Sequence, residues 1–322
     1  MRRLAIGVLA LLLIVPGVCG QNLKLEKSIP FTEETSVQFT ALSPKGKFLA
    51  AACKDGRVRL WSFPAIELKQ SFDLTDERLA GVWFSHDGAF LIAAGSRGKV
   101  RIWSVTSGQQ KVEFSAGANV NALAISYDLS MMAVAPVEKP AQLWDLRIGR
   151  KVAELPTKFA GSLALDFSPD GKWLASADAD TGIRFYEGST GAPRAMNDDF
   201  LLESFAAAFS ADSKYLYVGG ADKTISAIDP ASGKVVEAFP KQDYLVGALL
   251  ASPDGKTLAA GYFDEKSADN PAPVMLWDLT TKKVRTTISQ PDFHANGGGF
   301  LPDGRLVVTS NQKGKLQVWV VK

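Results

Sequence analysis

Histidine and cysteine are nearly missing from this sequence, two of each in 322 residues. A zinc site of His and Cys ligands at the usual spacing is thereby excluded. A Ser-His-Asp arrangement would have only His86 or His294 to draw on. Long Lys/Arg runs are absent as well, and the formal charge of the whole chain is only +2. Arg2 and Arg3 account for that excess; without them 34 basic residues face 34 acidic ones. Such a balanced surface exerts no general pull on nucleic acid or anionic lipid. After residue 20 no long apolar run follows the 3.6-residue period, so almost no helix is expected.

The first twenty residues are set apart by composition. Arg2-Arg3 precedes a continuous apolar run from Leu4 to Val15, and Pro16-Gly17-Val18-Cys19-Gly20 then breaks it with small residues. This is the layout of a secretory signal peptide, with cleavage expected after Gly20; the run is too short for a stable membrane span. An uncleaved anchor is the alternative. The expected organisation is a signal peptide over 1–20 and one domain over 21–322, secreted or periplasmic. Cys19 leaves with the leader, so Cys53 stands alone and no intramolecular disulfide forms in an oxidising compartment. Lying beside Ala51 and Ala52, Cys53 reads as a small buried thiol.

What the chain has in abundance is repetition. Turns recur at Ser43-Pro44-Lys45-Gly46, Ser85-His86-Asp87-Gly88, Ser126-Tyr127-Asp128-Leu129, Ser168-Pro169-Asp170-Gly171, Ser210-Ala211-Asp212-Ser213, Ser252-Pro253-Asp254-Gly255 and Leu301-Pro302-Asp303-Gly304. The intervals are 42, 41, 42, 42, 42 and 49 residues, the mark of a repeat architecture. Pro presets φ at the first central position of such a turn, and Gly accepts the positive φ that closes it. Eighteen residues after the lead position stand Trp61, Trp103, Trp144, Tyr186 and Trp319, with Ile228 in the fifth copy. Trp277 arrives seven residues late, which places an insertion between Gly261 and Val274. Each copy holds four short β-branched and aromatic runs separated by turn residues, the pattern of four antiparallel strands.

These copies resemble the WD-repeat family over roughly residues 32 to 322. The Trp-Asp pair itself appears at Trp144-Asp145 and Trp277-Asp278, with Trp61-Ser62 and Trp103-Ser104 as variants. The resemblance implies an all-β, seven-bladed propeller of four-stranded blades around a channel. The chain ends on the third strand of its last copy, and Asn22–Ile29 reads as the missing fourth, so the two ends are expected to pair. The sequence departs from the family in its buried polar chain, whose His is missing and whose Asp is matched only at Asp55, Asp180 and Asp222. Apolar packing is expected to take its place.

No catalytic residue, metal or cofactor is expected. His86 replaces Pro in a surface turn. The insertion from Phe263 carries oxygen ligands but lacks the alternating acids and fixed Gly of a calcium loop. Gly297-Gly298-Gly299 has no following Lys or helix to make a phosphate cradle and reads as close backbone packing. The expected function is a noncatalytic platform for a protein or peptide. The alternative is a propeller enzyme of the lactonase or quinone-dependent dehydrogenase type. The family resemblance puts the loop before each first strand and the loop between second and third strands on one face. The position seven residues before each lead residue then rings the channel mouth: Ser36, Arg78, Asn119, Gly161, Glu203, Leu245 and His294. Arg and Tyr are favoured interface anchors, and loops on a rigid scaffold carry function. The expected binding centre is Arg78, Asn119, Glu203, Tyr244, Phe293 and His294, on a monomer that binds no nucleic acid and has no membrane span once the leader is removed.

Overall fold

A computed structural model describes residues 23–30, 36–74, 78–115, 120–137, 139–157, 161–179, 181–200, 202–266, 272–289, 295–312 and 315–321. Among them there is no helix; they form 28 strands. The strands fall into seven antiparallel groups of four, here blades 1 to 7, each counted from its innermost strand outward. The innermost strands are Val37–Leu42, Leu79–Phe84, Val120–Ile125, Ser162–Phe167, Ser204–Phe209, Leu245–Ala251 and Ala295–Phe300. The chain is a seven-bladed β-propeller.

The repeated turn has the same internal wiring in blade after blade, and blade 4 shows it. Ser168 N donates to the Trp173 carbonyl at 2.9 Å, and Gly171 N to the Ser168 carbonyl at 2.9 Å. The Ser168 hydroxyl accepts from Trp173 N at 2.9 Å and donates to Asp170 Oδ1 at 2.7 Å. Gly171 sits at φ 73°, where a side chain is strained. Ser, Asp and Gly thus each satisfy one requirement of the reversal, which explains why they recur together.

The aromatic of the third strand is a joint between blades in several copies. Trp103 of blade 2 meets Phe72 from the outer strand of blade 1 at a centroid distance of 5.1 Å. Trp144 of blade 3 stacks on Phe114 of blade 2 at 4.7 Å, and Trp277 of blade 6 takes Phe239 of blade 5 edge-on at 5.5 Å. Tyr186 of blade 4 instead donates its hydroxyl to the Pro156 carbonyl at 2.8 Å. Such pairs add about 0.5–1.5 kcal/mol each beyond their buried area. Trp277 and Tyr186 are among the largest fully buried side chains.

The two ends of the chain share blade 7. Leu23–Pro30 pairs antiparallel with Lys315–Val321, from Leu23 opposite Val321 to Pro30 opposite Lys315. The N-terminal strand is therefore the fourth strand that the repeat pattern lacks. Blades 7 and 1 also meet at the channel: Thr40 and Ala41 lie in parallel register with Gly297 and Gly298, and the Thr40 and Thr309 hydroxyls are 2.5 Å apart. That approach needs bare backbone. A Cβ on Gly297 would lie 2.3 Å from the Thr40 carbonyl oxygen, and one on Gly298 would lie 2.1 Å from that of Val307. The glycine run is close packing, as its sequence context predicts.

Cys53 is buried, with Sγ 3.8 Å from the Ala51 carbonyl. Burial pushes its thiol above the ordinary value, and neighbouring Arg59 opposes the rise. That basic neighbour comes from the facing strand and was not visible in the local sequence around Cys53.

Candidate functional site

One backbone bond recurs where four of the innermost strands begin. The carbonyls of Ser36, Arg78, Gly161 and Glu203 accept from the N–H of Lys54, Ser96, Ala179 and Ala221 respectively, at 2.8, 2.6, 2.9 and 2.9 Å. The donor in each case follows the second strand of the same blade. The entry to the first strand and the hairpin between second and third strands therefore stand side by side on one rim. Arg78 and Glu203 occupy equivalent places on it, and both are exposed. Asn119, Phe293 and His294 lie outside the described residues.

Arg78 is held from the neighbouring blade. With the Gln38 amide oxygen turned toward it, Arg78 donates from Nη2 at 3.1 Å and from Nε at 3.3 Å. Gln38 lies at the bulge in the innermost strand of blade 1, where the register slips between Val37 and Phe39. At Glu203 the chain approaches so closely that a Cβ on Gly220 would lie 2.0 Å from the Glu203 carbonyl oxygen. Tyr244 is half-buried, its ring 6.5 Å from that of Tyr262. Phe205 and Phe263 lie 5.6 Å apart across blades 5 and 6. The rim therefore has an aromatic sector in blades 5 and 6, beside exposed Glu203. Sequence reasoning found Tyr244 and expected the insertion from Phe263 to Pro273 to wall this face, but it missed Phe205 and Tyr262. The Tyr262-Phe263 pair at the mouth of the insertion was the available signal.

The insertion begins in this sector. Strands Thr257–Phe263 and Val274–Asp278 bound it, as the displaced Trp277 predicts. Its Glu265 accepts from Lys223 Nζ of blade 5 at 2.7 Å, which draws the insertion toward the second hairpin of that blade. Lys223 holds the Glu265 carboxyl below its ordinary value.

Two polar groups stand apart from the rim. In blade 4, buried Asp178 accepts from the Ser162 hydroxyl and from Arg184 Nη1, each at 2.6 Å. Burial pushes this carboxyl up, with Ser162 and Arg184 opposing. Blade 4 thus holds a buried ion pair that the sequence did not announce. Toward the turn-bearing end of the channel, Asp166 accepts from Phe167 N at 3.0 Å and from Phe209 N of blade 5 at 2.7 Å. The residue as a whole retains some exposed surface, but its carboxyl oxygens are turned into the joint between blades 4 and 5. That burial raises the group to about 7 against the pull of the two amides. Nearby, His86 meets Tyr127 of the next turn, with ring centroids 4.0 Å apart and planes tilted by 40°. Among the described residues, no three His, Cys, Asp or Glu side chains are grouped to hold a metal ion, and no helix is long and apolar enough to cross a membrane.

Comparison with known proteins gives repeated matches to one family. The family model described as "WD domain, G-beta repeat" matches residues 28–62, 69–104, 151–187 and 204–229. A "Protein LST8 homolog" of Drosophila melanogaster is 26% identical over 164 residues, covering 48% of this chain and 50% of that protein. "WD repeat-containing protein SL1-17" of Schistosoma mansoni is 26% identical over 165 residues, 50% of this chain and 51% of the relative. "Apoptotic protease-activating factor 1" of Danio rerio is 23% identical over 318 residues, 92% of this chain but 24% of its own length. The matches thus span about half the length of the first two relatives and about a quarter of the third.

Proposed function

Because the chain belongs to the WD-repeat family, we propose that it is a noncatalytic interaction scaffold that binds a protein or peptide on the rim carrying Arg78, Glu203 and Tyr244. The observation that carries the reading is the contrast between that rim and the framework beneath it. The framework is apolar and repetitive, with Val37, Leu79 and Val246 buried at the start of their strands. The rim positions differ from blade to blade, bringing a cation, an anion and a cluster of aromatics to one face. Such a mixture suits a partner of defined shape and charge. Asn119, Phe293 and His294 complete the same ring by position in the repeat. The scaffold acts as a monomer, and the leader over residues 1–20 directs it to the periplasm or outside the cell.

Two measurements test the reading. A partner recovered from the native envelope fraction should lose at least tenfold in affinity for a variant combining Arg78→Ala with Tyr244→Ala. It should bind a variant combining His86→Ala with Asp170→Ala, on the turn-bearing face, as it binds the parent. Loss confined to the second variant refutes the placement. Mass spectrometry of native protein should find Gln21 at the N-terminus; an intact Met1-containing form in the cytosol refutes export.

A further inference from the structure

A cavity of about 630 Å³ is walled mainly by blades 6 and 7 and reaches Thr40 of blade 1 and Trp83 of blade 2. It exists because two neighbouring innermost strands have shed their side chains at the same level. Blade 6 contributes Gly247 and Ala248, and blade 7 contributes Gly297, Gly298 and Gly299. In blade 7 the backbone contacts to Thr40 and Val307 forbid a Cβ at Gly297 and Gly298. In blade 6 a Cβ on Gly247 would lie 2.6 Å from the Phe263 ring. Packing therefore leaves no room for a side chain at these three wall positions. Trp83, Tyr262 and Phe263 supply flat aromatic surface around the space.

The wall chemistry is selective. None of the described residues lining the cavity is Asp, Glu, Lys, Arg or His, so a charged ligand would find no counterion among them. Leu250, one of the wall residues, leaves 41% of its surface uncovered inside the molecule's own channel. Among the described residues, the innermost strand of blade 6 pairs with the second strand, Thr257–Phe263, and with no other. Its other edge offers backbone N–H and C=O groups beside Gly247–Leu250, the few polar anchors that an otherwise apolar pocket needs to orient a ligand. Size narrows the class further. A cavity of about 150 Å³ accepts one benzene, so the space here suits several rings.

We propose that this cavity binds an uncharged, largely apolar small molecule of two to four rings, held by a carbonyl or hydroxyl group against the backbone edge at Gly247–Leu250. The cavity shares Tyr262 and Phe263 with the aromatic sector of the rim, but the proposal does not rest on a partner binding there. It involves no covalent step.

Titration of the full chain with Nile red, a neutral multi-ring fluorophore, tests the proposal. The parent protein should bind one equivalent saturably, with a blue-shifted emission. Ala248→Phe fills the space and Leu250→Glu puts a charge on its wall; both positions are exposed within the channel, so neither change disturbs the packed core. Each should weaken binding at least tenfold while the circular dichroism melt stays cooperative. Ala231→Phe, the same enlargement on an exposed outer turn, should leave binding unchanged. Should Ala248→Phe fail to fold, Leu250→Glu decides alone. The proposal is overturned if the parent shows no saturable binding, or if Leu250→Glu binds the dye as the parent does.

Discussion

Arg184 Nη1 lies 2.6 Å from Asp178 Oδ2, with 6% and 0% of the respective side chains exposed. The pair is enclosed in blade 4, and the Ser162 hydroxyl occupies the second carboxylate oxygen at 2.6 Å. Breaking one side of such a pair leaves a buried charge without compensation, at a cost of about 3–5 kcal/mol. Arg184→Met should therefore lower the free energy of unfolding in urea by that order. Asp178→Asn together with Arg184→Met should recover much of the loss, because no buried charge then loses its partner; Asp198, 3.7 Å from Arg184 Nη2, keeps 33% of its side chain exposed. If the double variant is as unstable as the single one, packing of the guanidinium, and not the charge pair, holds this corner.

Thr181 is a β-branched residue at φ 68°, in the hairpin position that Gly56 and Gly98 occupy in blades 1 and 2 at φ 77° and 90°. The left-handed region costs an L-residue roughly 1–2 kcal/mol, and a branched side chain feels this most. Replacing it with glycine also raises the entropy of the unfolded chain, which offsets part of the gain. Thr181→Gly should stabilise the protein by about 0.5–1 kcal/mol net. The check is thermal unfolding, where a rise of about 1–2 °C is expected for a chain of this length.

The strand Leu23–Pro30 closes blade 7 along the edge of Lys315–Val321. Removing residues 21–30 uncovers the backbone groups of that edge next to buried Val318 and Trp319. An uncovered strand edge pairs with other chains. The truncated protein should melt at lower temperature and elute as aggregates in size-exclusion chromatography. A truncated form that stays monomeric with the parent's melting temperature would show that the end strand contributes nothing to closure.

The parts of this fold that are legible in sequence are those whose cause is local. A Ser-x-Asp-Gly turn carries its own hydrogen bonds, and Trp277 standing seven residues late reports the insertion without reference to any other blade. The missing fourth strand at the chain's end is equally readable, because the repeat says what should follow Trp319. What is not legible arises from register between strands or between blades. Asp178 and Arg184 meet because a hairpin folds one strand back on the next, and nothing in their spacing distinguishes them from a solvent-exposed pair. Phe205 joins Phe263 from a different blade. The cavity depends on Gly247 and Gly297 falling at one level of two separate strands. For the rim, the position in the repeat locates Arg78 and Glu203, whereas the contact from Arg78 to Gln38 depends on a bulge that no local residue signals.

Asp166 provides the pH dependence. Unfolded, its carboxyl titrates at the ordinary value of 3.8; folded, burial between blades 4 and 5 raises it to about 7. Below about pH 4 both states hold the proton and the residue favours neither. Between about 4 and 7 the unfolded chain releases a proton that the folded chain keeps, so each step up in pH favours unfolding. Above about 7 both states are ionised and the penalty is constant. The turn carboxylates behave in the opposite sense. Burial raises Asp170, but Ser168, the Lys172 amide and the Lys172 side chain outweigh it and hold the carboxyl below its ordinary value. Its contribution is present at neutral pH and lost only in acid, below the window in which Asp166 acts. Asp166→Asn keeps an amide oxygen for one of the two backbone N–H groups and removes the titration. The variant will differ from the parent in absolute stability, because the second N–H loses its acceptor. The readout is therefore the difference between the two slopes, because raised Asp178 and lowered His86 titrate in both proteins alike: unfolding free energy measured in urea from pH 4 to pH 7 should change with pH more negatively in the parent than in Asp166→Asn. Equal slopes in the two proteins would show that Asp166 ionises in the folded state as freely as in the unfolded chain.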